Sequence, residues 1–126
     1  MRLPLATRYA DFDTKGHVNN AVYLTYFEMA RAAAWVEGCG GSADFPFILA
    51  EASVKYVSKA MIGQALDIEL TTVEVRTKAW VWAYTIRDVS DGRVVAEGRT
   101  VQVMYDYERE ATIPIPDALR ARLAAL

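Results

Sequence analysis

Cysteine and histidine are almost absent from this chain: Cys39 and His17 are the only residues of their kinds among 126. A lone cysteine cannot close a disulfide within the chain, and it points to a reducing, cytoplasmic setting. One cysteine and one histidine cannot furnish the ligands of a structural zinc site, so no metal is expected. A basic excess is missing as well. With 14 Lys and Arg against 16 Asp and Glu, the formal net charge is −2, without the basic stripe of a general nucleic-acid binder. No apolar run approaches a membrane span, and Arg8 and Asp11 interrupt the N-terminal segment before a secretory apolar region can develop. There are no repeats, low-complexity stretches or linkers, so residues 1–126 read as one domain without membrane or nucleic-acid partners. Apolar residues make up 53% of the chain, slightly above the usual share, which hints at a second buried surface such as a subunit interface.

What is present is organised around one helix. Asn19 or Asn20 is a plausible N-cap, since an Asn side chain accepts from a first-turn N–H. The helix is expected to run to about Glu37 and to stop at Gly38-Cys39-Gly40-Gly41. Val22, Tyr23, Leu24, Tyr26, Phe27, Met29, Ala30 and Trp35 cover most of its circumference, leaving Thr25, Glu28 and Arg31 as a narrow polar stripe. A helix that apolar is expected to be buried on several sides. The remainder reads as strands: Leu3 to Tyr9, Phe47 to Val57, Leu66 to Val75 with a phase shift at Val73 that suggests a bulge, the alternating Trp80 to Ile86, and Val94 to Tyr107 after the turn at Ser90-Asp91-Gly92. Pro114 and Pro116 precede a short terminal helix from Asp117. One long buried helix wrapped by a curved antiparallel sheet is the α+β architecture that results.

The loop before the helix carries the chemistry. Asp11, Asp13, His17, Asn19 and Asn20 fall together just ahead of the helix start. A carboxylate there lies beside unpaired backbone N–H groups and the positive end of the helix dipole, which together stabilise an oxyanion. A base or nucleophile next to an oxyanion site is the minimum equipment for acyl transfer.

The run Asp11-Phe12-Asp13-Thr14-Lys15-Gly16-His17-Val18-Asn19-Asn20, with the helix phrase Tyr23-Leu24-Thr25-Tyr26-Phe27-Glu28-Met29-Ala30-Arg31, closely resembles the 4-hydroxybenzoyl-CoA thioesterase family of hot-dog fold acyl-CoA thioesterases. The phrase Ala50 to Tyr56 and the proline-containing tail also resemble that family. The resemblance implies an acyl-CoA substrate, no cofactor, and a site at a subunit interface of a homodimer or homotetramer. It maps the catalytic carboxylate onto Asp13 and the N–H that polarises the thioester carbonyl onto Asn20. The related plant acyl-ACP thioesterases share the His-Val-Asn-Asn phrase and use its histidine, here His17. Their catalytic Asn is replaced by Lys15, and bacterial relatives with an Asp–His pair place the histidine where this chain has Asn20.

Other residues admit two readings each. Asp13 could close an Asx turn, and Asp11 reads as structural, binding loop N–H groups. His17 could pack its ring or transfer a proton, for which imidazole is suited as a residue type. Lys55 and Lys59, with Arg76 and Lys78, are candidates for the phosphates of coenzyme A or are solvated surface. Glu51 either meets the substrate or faces solvent. Trp80, Trp82 and Tyr84 read as sheet-face core or interface. Cys39 sits at the far end of the helix from His17, too distant for a Cys–His pair. Beside thioester hydrolysis stand a hot-dog hydratase or dehydratase acting on acyl-CoA or acyl-carrier protein, and an acyl-CoA-binding domain without turnover.

Overall fold

In the computed structural model, which describes residues 1–126, helix α1 spans Val22–Ala33 and continues as one π-helical turn, Ala34–Gly38. Its buried residues are Tyr23, Tyr26, Phe27 and Ala30, the i, i+3, i+4, i+7 spacing of a single face, followed by Ala34 and Trp35. The expectation of burial on several sides is therefore corrected: Leu24, Met29 and Val36 remain 43%, 43% and 44% exposed. One sheet covers one face of a helix, and the chain has no second layer to cover the other. The expected cap is also displaced. Asn19 accepts the Ala21 N–H through Oδ1 at 3.1 Å and the Val22 N–H through its carbonyl at 3.0 Å. Ala21 itself occupies the cap position, and the Asn20 side chain caps nothing.

The strands are β1 (Arg2–Leu5), β2 (Phe47–Tyr56), β3 (Leu66–Val75), β4 (Ala79–Asp88), β5 (Val94–Asp106) and β6 (Ala111–Thr112), and α2 covers Asp117–Ala124. All pair antiparallel in the order β1-β3-β4-β5-β2, with β6 on the end of β5. The first strand is shorter than its sequence suggests, because Tyr9–Asp11 tightens into a 3₁₀ turn held by the Asp11 carboxylate. The bulge expected near Val73 lies between Thr72 and Glu74. A second shift, between Leu49 and Glu51, left no such mark in the sequence.

The sheet curls its apolar face around α1. Trp80, Trp82, Tyr84 and Ile86 alternate onto that face and are fully buried, each worth roughly 1.5–3 kcal/mol or more of apolar burial. Tyr84 stacks on Phe27 with ring centroids 4.5 Å apart. Gly98, opposite Tyr84 on β5, leaves the space that the Phe27 ring fills. β2 is the long outer strand of the sheet, and one of its edges has no partner in the chain.

Candidate active site

The loop from Phe12 to Asn20 is built as a tight hairpin-like turn. The Asp13 N–H donates to the His17 carbonyl at 2.7 Å, and the Gly16 N–H donates to the Asp13 carbonyl at 3.0 Å. Gly16 adopts φ +76, a conformation that glycine enters without a Cβ penalty. A second segment fastens the loop: Val18 N–H donates to Ala60 at 2.9 Å and Ile62 N–H to Gly16 at 2.9 Å.

The two acids of the motif have opposite surroundings. Asp11 is 1% exposed. Its carboxylate accepts the Arg8 N–H at 2.8 Å, the Arg8 guanidinium at 2.9 and 3.1 Å, and the Tyr26 hydroxyl at 2.9 Å. Burial pushes its pKa up, but the Arg8 and Tyr26 donors together outweigh that and hold it below the ordinary carboxylate value. Tyr26 is moved the other way: burial first, then the Asp11 carboxylate, keeps its hydroxyl protonated as a donor. Asp11 thus ties the loop to α1.

Asp13 is exposed. Its Oδ1 accepts the Lys15 N–H at 2.8 Å and the His17 N–H at 3.0 Å, closing the Asx turn that the sequence allowed. Oδ2 accepts nothing within the chain. The His17 and Lys15 N–H groups lower the Asp13 pKa against a small opposing effect of burial, so the group is a carboxylate at neutral pH. The turn and the chemistry are compatible, since one oxygen fixes the loop and the other is open to a ligand.

A cleft of about 480 Å³ gathers Asp13, His17, Asn20 and Lys59, with Tyr23 and Tyr56. The Asn20 N–H makes no hydrogen bond within the chain and is an open donor at the entry to α1. Tyr56 was not singled out by sequence reasoning. Its hydroxyl donates to the Asn20 carbonyl at 3.0 Å, and its ring meets Tyr23 edge-on at 5.5 Å, bracing the Asn20–Ala21 peptide next to the one that carries the open donor. Alternation along β2 puts Tyr56 on the same side as Val54, but the register shift between Leu49 and Glu51 hides which side that is until β5 is paired.

That same alternation turns Lys55 to the opposite side of the sheet, paired in register with Glu97 and bordering a depression with Arg99. Glu51 lies near Arg76 and Arg99, also outside the Asp13 cleft. Arg76 pairs with Glu74 at 2.8 Å, and Lys78 donates to Thr112 at 3.3 Å. Of the four cations considered for phosphate binding, only Lys59 reaches the cleft. Cys39 is buried, and burial raises its thiol pKa to about 11 despite nearby Arg122, which leaves it without nucleophilic character. No group of three His, Cys, Asp or Glu side chains is placed to hold a metal ion.

A sequence profile of the thioesterase-like superfamily matches residues 7–123. The long-chain acyl-CoA thioesterase FadM of Escherichia coli K12 is 25% identical, the alignment covering 98% of this chain and 96% of FadM. The crystal structure of the PA5185 protein from Pseudomonas aeruginosa PAO1 superposes with a TM-score of 0.91 at 26% identity, covering 100% of this chain and 90% of that one. A thioesterase from Thermus thermophilus, solved with coenzyme A and zinc, gives 0.86 at 28% identity, with 98% and 91% covered.

Proposed function

The chain belongs to the thioesterase-like superfamily, and from that premise we propose that it hydrolyses an acyl-CoA thioester to a free acid and coenzyme A, residues 1–126 forming one thioesterase domain. The observation that carries the site assignment is that one cleft is lined by both Asp13, whose Oδ2 is unengaged, and Asn20, whose N–H is unengaged.

The reaction needs a nucleophile at the thioester carbon and a donor for the oxygen that becomes negative. Asp13 supplies the first in one of two ways. It takes a proton from a water that attacks the carbon, or its own oxygen attacks to form a mixed anhydride that water then opens. In both, the carbonyl oxygen gathers charge beside the Asn20 N–H, the C–S bond breaks, and coenzyme A leaves as the thiol once its sulfur is protonated. His17, which lines the same cleft, is the residue assigned to deliver that proton. Lys59 is the cation suited to the phosphates. The scheme calls on no metal or redox cofactor.

A homodimer or homotetramer completes this reading. The uncovered face of α1 with Leu24 and Met29, and the free edge of β2 with exposed Leu49 and Tyr56, are apolar and hydrogen-bonding surfaces that a second copy would close. Light scattering should show at least a dimer at assay concentrations; a fully active monomer would contradict it. A cytoplasmic setting fits the lone cysteine, and no helix is long and apolar enough to cross a membrane. Release of free thiol from a panel of acyl-CoAs tests the activity, and saturable binding without thiol release would favour an acyl-CoA-binding domain instead.

A further inference from the structure

The helix-facing side of the sheet carries a buried polar cluster that the Asp13 cleft does not use. Thr100 and Gln102 of β5 are 0% exposed and Tyr84 of β4 is 1% exposed. The Tyr84 and Thr100 hydroxyls share a hydrogen bond of 2.7 Å, and the Gln102 Nε2 donates to the Thr100 hydroxyl oxygen. The other end of that amide, Oε1, is buried without a partner. Trp80, directly opposite Gln102 on β4, likewise buries an Nε1–H that bonds nothing. Buried polar atoms are normally paired, because leaving them dry and unpaired forfeits their hydration. Two of them on facing positions call for a partner.

A cation stands at the same place. Arg31 follows Phe27 by one helical turn, and the Phe27 ring stacks on Tyr84 with centroids 4.5 Å apart. Burial raises the Tyr84 pKa above the ordinary phenol value, against opposing contributions from Thr100, Arg31 and Gln102, which all meet at its hydroxyl. Arg31 pairs with no carboxylate of the chain, Glu28 one turn before it included. With Glu28, Ala32, Phe45, Phe47 and Leu49, Arg31 lines a cleft of about 200 Å³. Leu49 lies opposite Gln102 in the ladder, so this cleft opens above the cluster. Its aromatic wall is held in place. Phe47 packs edge-on against Trp35 and against Trp80, each at 5.2 Å, and Phe45 packs edge-on against Phe47 at 5.7 Å.

A guanidinium without a carboxylate and an amide with one free end, beside a wall of rings, suit an anion carried on an apolar body. We propose that this cleft binds a compact organic carboxylate, its charge on Arg31 and Gln102 and its apolar body against Phe45, Phe47 and Leu49. Turning the Gln102 amide over exchanges two ends of equal size and presents Nε2 to the anion. Thr100 then donates to Oε1 and Tyr84 to Thr100, a direction their shared hydrogen bond admits. The relay of donors ends on the negative charge, and the amide keeps no unpaired end. From Asn20 to Arg31 is 11 residues, roughly 16 Å at the rise of an α-helix, and the two clefts share no residue. The site does not depend on the hydrolase reading, although the free acid released by that reaction belongs to the class it takes.

All three tryptophans of the chain, Trp35, Trp80 and Trp82, stack at this cluster, and none lines the Asp13 cleft. Intrinsic fluorescence therefore reports on it, with calorimetry as a second readout. Benzoate is titrated into the wild-type protein beside benzamide, its neutral counterpart of the same shape, and into Arg31→Met and Gln102→Leu. Benzoate should change the fluorescence saturably and bind about tenfold or more tighter than benzamide. Arg31→Met should remove that preference while keeping the oligomeric state. Gln102→Leu should weaken benzoate several-fold and melt no lower than wild type, since it removes a buried amide with an unpaired end. Coenzyme A should not displace benzoate.

Equal binding of benzoate and benzamide, or an unchanged preference in Arg31→Met, would overturn the proposal. So would displacement of benzoate by coenzyme A, which would put the acid in the Asp13 cleft. A monomeric Arg31→Met protein would count equally against it, by placing the guanidinium in a subunit contact. A Gln102→Leu protein that melts lower yet binds benzoate normally would do the same, because the amide would then serve the core alone. Absence of thiol release from every acyl-CoA tested would sink the hydrolase reading and leave this site standing.

Discussion

Replacing Asp13 by Asn removes one charge and almost nothing else. The Asn Oδ1 can still accept the Lys15 and His17 N–H groups, so the Asx turn that shapes the loop should persist. Asp13 is exposed and its Oδ2 has no partner to lose. The melting temperature should therefore fall only slightly, because a neutral amide oxygen accepts those two N–H groups less strongly than the carboxylate does. Activity should not, because Asn can neither attack the thioester nor accept a proton from water. Loss of general-base catalysis alone is typically worth about 10²–10⁴-fold in rate, and the loss should fall on kcat because the Asn20 donor and Lys59 are untouched. Asp11→Asn should give the opposite pattern. Asp11 is buried and accepts from Arg8 and Tyr26. Weakening those charge-assisted bonds should cost roughly 1–3 kcal/mol of stability, toward the lower end because Arg8 is largely exposed. Turnover by the folded fraction should remain well above that of Asp13→Asn. Thermal or urea unfolding of both variants, with a free-thiol assay over a range of acyl-CoA concentrations, makes the comparison. Near-normal kcat from a folded, oligomeric Asp13→Asn protein would refute the assignment. An Asp11→Asn protein that is fully stable but equally inactive would refute the division of labour between the two acids.

Tyr56→Phe removes the hydroxyl bond to the Asn20 carbonyl; it should cost about 0.5–1.5 kcal/mol and lower kcat more than it raises KM, and an unchanged kcat would show that the Asn20 donor needs no bracing. Gly98→Ala places a methyl group where the Phe27 ring and the Ser53 carbonyl sit, and denaturant unfolding should show a loss of roughly 1–3 kcal/mol; wild-type stability would contradict the packing of α1 on β5. The folded-state pKa of Asp11 is lowered, so its stabilisation is fully present above the unfolded value of about 3.9 and is lost as pH falls through the lower folded value. Unfolding measured from pH 6 to pH 2 should show that loss shrink in Asp11→Asn, and an identical acid transition in the variant would exclude Asp11 as a contributor.

Local spacing alone was enough to read the helix, the order of the strands, and the loop in which Asp13 lies seven residues before Asn20. These features depend on chain neighbours, on the period of apolar residues, and on backbone donors that any helix start leaves open. The bulge at Thr72–Glu74 was legible for the same reason, as a break in the two-residue period. What local spacing could not supply was facing. The register shift between Leu49 and Glu51 resets which side of the sheet each later residue of β2 takes, so counting from Phe47 gives no safe parity. Pairing with β5 decides it, sending Tyr56 toward Asn20 and Lys55 to the opposite side beside Glu97. Burial was hidden in the same way. The apolar residues around α1 do not say how many layers the rest of the chain can lay over them, and only the curl of one sheet shows that Leu24 and Met29 are left uncovered. The two acids of one short motif likewise differ through distant contacts: Tyr26, a full turn and more into the helix, reaches Asp11 and buries it, and no such partner reaches Asp13. Lys59 joins the site because the Val18 N–H bonds the Ala60 carbonyl, a contact between segments separated by α1 and β2 that exists only once the sheet has closed around the helix.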